Sequence, residues 1–432
     1  MRGRHAEDML LPEQGRAALP RGFHLLIATQ FFSSLADNAL LIVTIALLDE
    51  RGLPLWWAPL LKLGFTLSYV LLAPFVGALA DAVPKRRLMA WMNATKIVGL
   101  IALMAGLHPV AAFVIVGLGA AGYAPAKYGL LTELVGPEQL VRANGWLEVS
   151  VVCAALLGAM VGGLLVSSWW LESGLHQQLL AMAPEADRYL PSLALLLLVY
   201  AMASGLNLGV PDSGARYPAC GFHPGALLRD FSADQRRLWR DADGGLSLAV
   251  TTIFWGLGAT LQFAVLRWAE DILRLPLNQA AYLQAAVAVG VVLGASAAGR
   301  WVPLTAAKRM LVFGVVLGLL MPVLALTANL MLAIGLLVLT GAVGGLLVVP
   351  LNALLQHRGF VLLSAGRSIA VQGFNENASV LAMLAGYALL LWGGLPIAPL
   401  MAVFGAGIAS GILLLIWREQ RRAARAATLS GC

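Results

Sequence analysis

Thr29-Gln30-Phe31-Phe32-Ser33-Ser34-Leu35 returns, loosely respelled, as Thr251-Thr252-Ile253-Phe254-Trp255-Gly256-Leu257. Each copy runs on through apolar sequence to an Asp and a Pro, Asp49 and Pro54 in the first, Asp271 and Pro276 in the second. The offset is 222 residues throughout, and Gly119-Ala-Ala-Gly122 meets Gly341-Ala-Val-Gly344 at the same distance. Pro125 then matches Pro350, and Glu148 with Ala154 matches Glu376 with Ala382, as the offset drifts to 228. Each match is slight alone. Their shared order and near-constant spacing describe one unit used twice.

The unit is a membrane bundle. Hydrophobic residues make up 60% of the 432 positions and charged ones only 12%, which excludes a soluble domain of ordinary composition. Apolar spans long enough to cross a bilayer, roughly 18–26 residues each, recur along the chain. They are predicted near 23–48, 56–80, 88–107, 110–132, 143–168, 191–210, 245–270, 279–299, 309–327, 330–356, 367–393 and 396–417. The expected fold is therefore all-α and polytopic, with twelve transmembrane helices in two six-helix pseudo-repeats. The domains are a tail over 1–22, a first bundle over 23–210, a basic linker over 211–244, a second bundle over 245–417 and a basic tail over 418–432. In the linker, Pro211, Asp212, Gly214, Pro218, Gly221 and Pro224 break any helix at its start. Arg229 to Arg240 then reads as a short basic amphipathic helix on the membrane surface. Parallel six-helix repeats holding substrate between them near the midplane are the plan of a rocker-type secondary transporter.

Lys and Arg placement sets the orientation. Arg2, Arg4, Arg16 and Arg21 fall on one side with Lys85, Arg86 and Arg87, then with Arg216, Arg229, Arg236, Arg237 and Arg240. Arg300, Lys308, Arg309, Arg418, Arg421, Arg422 and Arg425 join them, against only Arg51, Lys62, Arg188 and Arg274 opposite. Both termini are expected in the cytoplasm. The net charge of +7 is thus a topology signal and not a nucleic-acid one. Residues 1–22 are polar and mixed in charge, so no signal peptide is expected. Cys153, Cys220 and Cys432 have no spacing suited to metal or disulfide chemistry, and the six His are scattered. Neither a metal nor another cofactor is expected. An intramembrane enzyme would need a nucleophile–base pair or a metal cluster inside the bundle, and the sequence offers neither.

Polar residues inside the spans carry the functional information. An ionisable group at bilayer depth costs about 2.5–3.5 kcal/mol on insertion scales and usually marks a substrate or ion path. Asp37 and Asn38 sit in the middle of the first span, and Glu376 about ten residues into the eleventh beside Gln372, Asn375 and Asn377. Lys127 and Glu148 are shallower, in the fourth and fifth spans, and either a Glu148–Lys127 or a Glu148–Lys96 pair is expected. Pro125 is expected to loosen the fourth helix near Lys127. Small residues (Gly158, Gly162, Gly163, Gly290, Gly294, Gly373, Gly386) suit close helix packing.

Gly77-Ala-Leu-Ala-Asp81-Ala-Val-Pro-Lys85-Arg86-Arg87-Leu88 resembles the signature loop of the major facilitator superfamily. Here Gly77 permits close approach of a neighbouring helix, and Asp81 is placed to meet the positive N-terminus of the eleventh helix as a gate. Tyr123-Ala-Pro125-Ala-Lys127-Tyr128-Gly129-Leu-Leu-Thr-Glu133 resembles the fourth-helix signature of the bacterial lysophospholipid transporters within that superfamily. So do Ala36-Asp37-Asn38, Arg142-Ala-Asn144-Gly145 with Glu148, Val348-Val-Pro350-Leu-Asn352-Ala-Leu-Leu-Gln356, and Ala370-Val-Gln372 with Glu376-Asn377. These blocks run in order over nearly the whole chain.

The resemblance implies a flippase that moves lysophospholipids from the outer to the inner leaflet of the bacterial inner membrane, where an acyltransferase reacylates them. It also implies a basic residue in the seventh span where this chain has Gln262. Arg267, five residues on, either takes that cationic role at shallower depth or anchors the interface beside Trp268. Substrate or translocation residues are accordingly expected at Asp37, Asn38, Lys127, Glu148, Gln262, Arg267, Gln372 and Glu376, and gating residues at Gly77, Asp81, Lys85, Arg86 and Arg87. A phosphate suits Lys or Arg, an ethanolamine ammonium suits Asp or Glu, and the acyl tail suits an apolar wall. The expected partners are the lysophospholipid and membrane lipid; a monomer can complete the path. The alternative is proton-coupled movement of another small molecule, with Asp37 and Glu376 as proton carriers.

Overall fold

The computed structural model describes residues 19–53, 57–182, 187–217 and 223–430. Arg2, Arg4, Arg16, Pro54, Pro218, Cys220, Gly221 and Cys432 lie outside the described residues. Every regular element among the described residues is helical. The first six spanning helices are α1 (Arg21–Glu50), α2 (Trp57–Ala82), α3 (Lys85–Met104), α4 (Pro109–Leu134), α5 (Leu140–Leu165) and α8 (Leu190–Leu208). Between the last two lie the short α6 (Ser168–Leu171) and α7 (Gly174–Ala181). After α9 (Pro224–Arg240) come α10 (Ala242–Asp271), α11 (Leu277–Trp301), α12 (Leu311–Ala325), α13 (Leu330–Leu362), α14 (Ala365–Trp392) and α15 (Ile397–Ser430). Among the described residues twelve helices are long and apolar enough to span a membrane, so the chain is a multi-pass membrane protein.

Local chemistry explains the ends. Pro109 and Pro191 occupy first or second helical positions, where the missing N–H costs nothing. Ser364 caps α14 by accepting from the Arg367 N–H, and Asn329 caps α13 by accepting from Leu332. Several boundaries differ from those read in the sequence. The helix of the second seven-residue copy begins at Ala242, capped by Asp241, inside the stretch read as linker. The α15 helix runs on to Ser430, through the stretch read as a tail. Arginines there are compatible with helix, so the loss of hydrophobicity marked the edge of the span and not the end of the helix. The α4 helix also continues unbroken through Pro125, because neighbouring helices hold it on both sides of the ring.

Apolar packing sorts by sequence. The largest buried cluster draws on α10–α15 and their connections, the next on α1–α5, α8 and theirs. A small one joins the two sets, through Leu140 and Val141 of α5, Ala295 and Ala298 of α11, and Val348, Val349 and Ala353 of α13. All of these lie toward the end of the bundle that carries the α2–α3 loop and α9, called the terminal end below.

The linker helix departs from its expected place. It is not laid on a bilayer surface alone but packs across the terminal end, against α2, α10 and α14. Leu227 and Leu238 are buried, Phe231 meets Phe374 edge to face with ring centroids 5.4 Å apart, and Trp239 Nε1 and the Asn375 amide share a hydrogen bond of 3.2 Å. Asp234 and Asp230 reach Arg367 at 3.5 and 3.7 Å. Burial holds the Asp234 carboxyl above the ordinary range despite that guanidinium. Hydrogen bonds from Arg358 pull Asp241, at the next corner, below it.

Candidate functional site

Asp37 and Ser33 stand one turn apart on α1, as do Lys96 and Asn93 on α3, so both pairs present one face. Lys96 Nζ donates to Asp37 Oδ2 at 2.6 Å and to Ser33 Oγ at 2.9 Å. Ser33 in turn donates to Asn93 Oδ1 at 3.2 Å. Tyr200 of α8 donates to the other carboxylate oxygen at 2.7 Å. The Lys96 side chain is 2% exposed and that of Asp37 14%, so the carboxylate keeps the more open side. Tyr123 of α4 places its ring 5.3 Å from the same ammonium. The expected Lys96–Glu148 pairing is therefore wrong. Lys96 belongs to Asp37, because α8 packs against both α1 and α3 and so brings the acid there.

Lys127 and Glu148 are both buried, and no ion pair joins them within 4.0 Å among the described residues, contrary to the other expected pairing. They act on each other only electrostatically, and Lys127 also feels Asp37 and Lys96. The Lys127 ammonium lies 4.3 Å from the Tyr128 ring. Asn38 turns inward on α1, donating to Ser34 O at 2.8 Å where α5 crosses at Gly158.

An amide ladder carries polarity across the seam. Glu376 Oε1 accepts from Gln372 Nε2 at 2.8 Å, and the same nitrogen donates to Asn352 Oδ1 at 2.6 Å. Asn352 and Gln356, one turn apart on α13, both donate to Asn144 Oδ1 of α5, at 3.1 and 3.0 Å, and Asn144 returns a bond to Gln356 Oε1 at 2.9 Å. The ladder thus links Glu376 to the helix that carries Glu148. The sequence named Gln372 and Glu376 but gave Asn144, Asn352 and Gln356 no role. The four-residue spacing of Asn352 and Gln356 on an otherwise apolar span was the available signal. Asn375 is a correction. It faces α9, bonding Gln235 at 2.9 Å, and does not join Glu376.

At the other end, Lys62 of α2 donates to Gln262 Oε1 of α10 at 3.2 Å, across the two helix sets. Gln284 of α11 donates to the Gln262 carbonyl at 2.8 Å. No carboxylate lies within 4.0 Å of Lys62 among the described residues. The Arg267 side chain is 55% exposed and pairs with Asp271 one turn on, at 3.0 Å. Trp268 beside it is fully buried in the core. The sequence counted Lys62 only as a loop charge. Its position five residues inside α2, beyond easy reach of the loop, was the missed signal.

The residues expected to gate meet at the terminal end. Asp81 Oδ1 accepts from the free Gly366 N–H at the start of α14 at 2.9 Å, and Ser364 Oγ donates to Oδ2. Gly77 lies so near α14 that a Cβ there would stand 2.7 Å from that of Ala370 and 3.2 Å from Arg367 Cα. Lys85 is buried, bonding Glu133 at 2.6 Å and lying 3.8 Å from Asp81. Ser213 and Tyr217 of the linker also donate to Glu133, at 2.5 and 2.7 Å. Arg86 takes part through its carbonyl, which accepts from Asn207 at 3.0 Å, and Arg87 is exposed. These bonds tie α2 to α14, and α3 and the linker to α4, at the terminal end. Hydrogen bonds to a charged group contribute about 1.5–3 kcal/mol each. Asp81→Ala is expected to shift the closed–open balance toward open by about tenfold or more. Spin-label distances between Arg87→Cys and Arg309→Cys in a background without native Cys measure it. An unchanged distribution in Asp81→Ala would remove Asp81 from the gate.

Two sets of six spanning helices, meeting at a polar seam and latched at one end through a Gly–Asp loop, define a membrane transporter of the major facilitator class. The family model of the Major Facilitator Superfamily matches residues 26–359. The chain belongs to that superfamily and, within it, to the bacterial lysophospholipid transporters. It is 40% identical, over 88% of its own length and 89% of the relative's, to the lysophospholipid transporter LplT of Pectobacterium carotovorum and equally to that of Yersinia pestis. Solved structures share the fold alone. A bacterial homologue of the iron transporter ferroportin in an outward-facing state superposes with a TM-score of 0.69 at 17% identity, covering 92% of this chain and 99% of that one. The human organic anion transporter MFSD10 gives 0.67 at 17% identity, covering 92% and 100%.

Proposed function

We propose that this protein carries lysophospholipids by alternating access, from the outer to the inner leaflet of a bacterial inner membrane, with both termini in the cytoplasm. The product would feed an acyltransferase that restores the second chain. The observation that carries the reading is the split of charge across the seam. Lys127 and Lys62 lack a carboxylate partner within 4.0 Å among the described residues and suit a lipid phosphate. Glu376, which accepts hydrogen bonds from Gln372 and Thr251 and has no cation within 4.0 Å among the described residues, suits an ethanolamine ammonium. The 40% identity to lysophospholipid transporters supports the substrate class. Asp37, Asn38, Glu148, Gln262 and Gln372 line or support this path; Arg267 is left out because it faces Asp271. The Glu376 carboxylate, with no cation within 4.0 Å among the described residues, favours one second reading, proton-coupled transport of another small solute.

Uptake of radiolabelled lysophosphatidylethanolamine, in cells retaining the acyltransferase, tests the reading. An excess of unlabelled monoacyl lipid is expected to lower uptake about tenfold, and diacyl lipid to leave it unchanged. A second tail would occupy the cleft that must close. Equal inhibition by both lipids, or none by monoacyl lipid beside proton-linked movement of a soluble solute, favours the second reading.

A further inference from the structure

A groove of about 1010 Å³ opens between α5 and α11 at the terminal end, on the outer side of the seam. That volume is at the upper end for small-ligand sites, roughly 300–1,000 Å³. Arg142 of α5 and Arg300 of α11 line it, with Glu138 at one edge and Trp146, Trp301 and Val149 along its walls. Trp146 is 55% exposed and Trp301 73%. Trp and Arg together at a helix end are the usual furniture of a membrane interface.

The groove is separate from the polar seam. On α5 the stripe Arg142–Gly145–Val149, continued by Glu138 of the turn before it, lines the groove with α11, whereas Asn144 on the neighbouring stripe joins the ladder. Its floor is the crossing of Gly145 and Gly299. A Cβ on Gly145 would stand 2.8 Å from the Ala295 carbonyl and 3.2 Å from Gly299 Cα, leaving no passage for a transported head group in this state. The occupant therefore comes from the surrounding bilayer.

We infer that this groove is a binding site for a two-tailed phospholipid of the cytoplasmic leaflet carrying one net negative charge. The lining carries two guanidinium groups and one carboxylate, hence one net positive charge. Guanidinium forks match the geometry of a phosphodiester. Glu138 accepts hydrogen bonds from hydroxyls of the head group, and the tails run along Val149 and the Trp faces into the membrane. Because α5 and α11 belong to different six-helix sets, a lipid seated here bridges them and holds the terminal end closed.

Native mass spectrometry of the purified protein, titrated separately with diacyl phosphatidylglycerol, phosphatidylethanolamine and phosphatidylcholine, tests this. One phosphatidylglycerol is expected to stay bound with about tenfold preference over the other two. The preference should fall to none in Arg142→Gln/Arg300→Gln, and that lipid should raise the melting temperature of the wild-type protein only. If the double variant does not fold, Arg300→Gln alone should lower the preference at least threefold. Equal retention of all three lipids, or retention unchanged in the variants, overturns the proposal. So does displacement of the bound lipid by equimolar lysophosphatidylethanolamine, which would make the groove part of the transport path, and so does equal binding of soluble glycerol phosphate.

Discussion

Asp37→Asn is expected to abolish transport, lowering the initial uptake rate at least about a hundredfold in proteoliposomes. The carboxylate is the sole ionic partner of Lys96 among the described residues, and it also holds the Tyr200 hydroxyl. Breaking a buried pair by removing one partner costs about 3–5 kcal/mol, since the other charge is stranded. Two explanations for the loss are possible, and a second variant separates them. Asp37→Asn/Lys96→Met removes both charges at similar volume. If the pair serves only to hold α1, α3 and α8 together, the double variant should recover most of the wild-type rate. If Asp37 releases Lys96 to meet substrate or a coupling ion during the cycle, the double variant should remain inactive while its melting temperature recovers. We expect the second outcome, because the carboxylate is the more exposed member of the pair. Near-wild-type uptake by well-folded Asp37→Asn would reduce it to a structural polar group.

Gly294→Val is expected to prevent a stable fold. Helices in lipid gain nothing from hydrophobic exclusion, so their association rests on close packing. The pair α11 and α13 packs through Gly290 and Gly294 on one side and Gly341 and Gly345 on the other. A Cβ on Gly294 would fall 2.0 Å from the Ala342 carbonyl oxygen, and one on Gly341 2.1 Å from that of Val287. Those atoms are backbone and cannot swing aside, so the helices must separate. Overpacking commonly costs about 1–3 kcal/mol, and more where backbone must move. Fluorescence-detected size exclusion should show Gly294→Val aggregated or absent, with Gly373→Ala as the control because a Cβ there meets nothing within 4 Å. A monodisperse Gly294→Val protein with unchanged melting temperature would show that the α11–α13 approach does not govern folding.

The same contrast shows how far small residues can be read. Gly158, Gly162, Gly290 and Gly294 do sit at helix crossings, but a Cβ on Gly163, Gly373 or Gly386 would touch nothing. Glycine in a span is permission for approach, and only the partner helix decides whether it is used.

Other site residues divide along similar lines. Asp37, Glu376 and Gln372 stood out because a polar group at bilayer depth is costly wherever the helix happens to pack. Lys127 and Glu148 stood out for the same reason, yet their partners were guessed wrongly. A side chain's depth follows from its distance to the span ends, but its azimuth does not name the neighbouring helix. Lys62 was missed because charge counting treats every residue near a span end as loop. The ladder through Asn144, Asn352 and Gln356 was missed as a unit because Asn144 lies more than two hundred residues before the other two.

What the sequence determined by itself was the number of spans, their doubled pattern and the family. These depend on hydropathy, spacing and local motifs such as Gly77-Ala-Leu-Ala-Asp81, all of which are properties of contiguous residues. The place of Asp81 against α14 was also legible, since an acid at a helix end seeks a free N-terminus. Only the tertiary structure decided which cations are paired and which are free. Lys96 found Asp37, Lys62 found Gln262, and Arg267 turned back to Asp271. The reason is physical. Hydropathy fixes how deep a residue sits, but helix rotation and crossing angle fix what it faces, and those emerge only when all twelve helices pack at once.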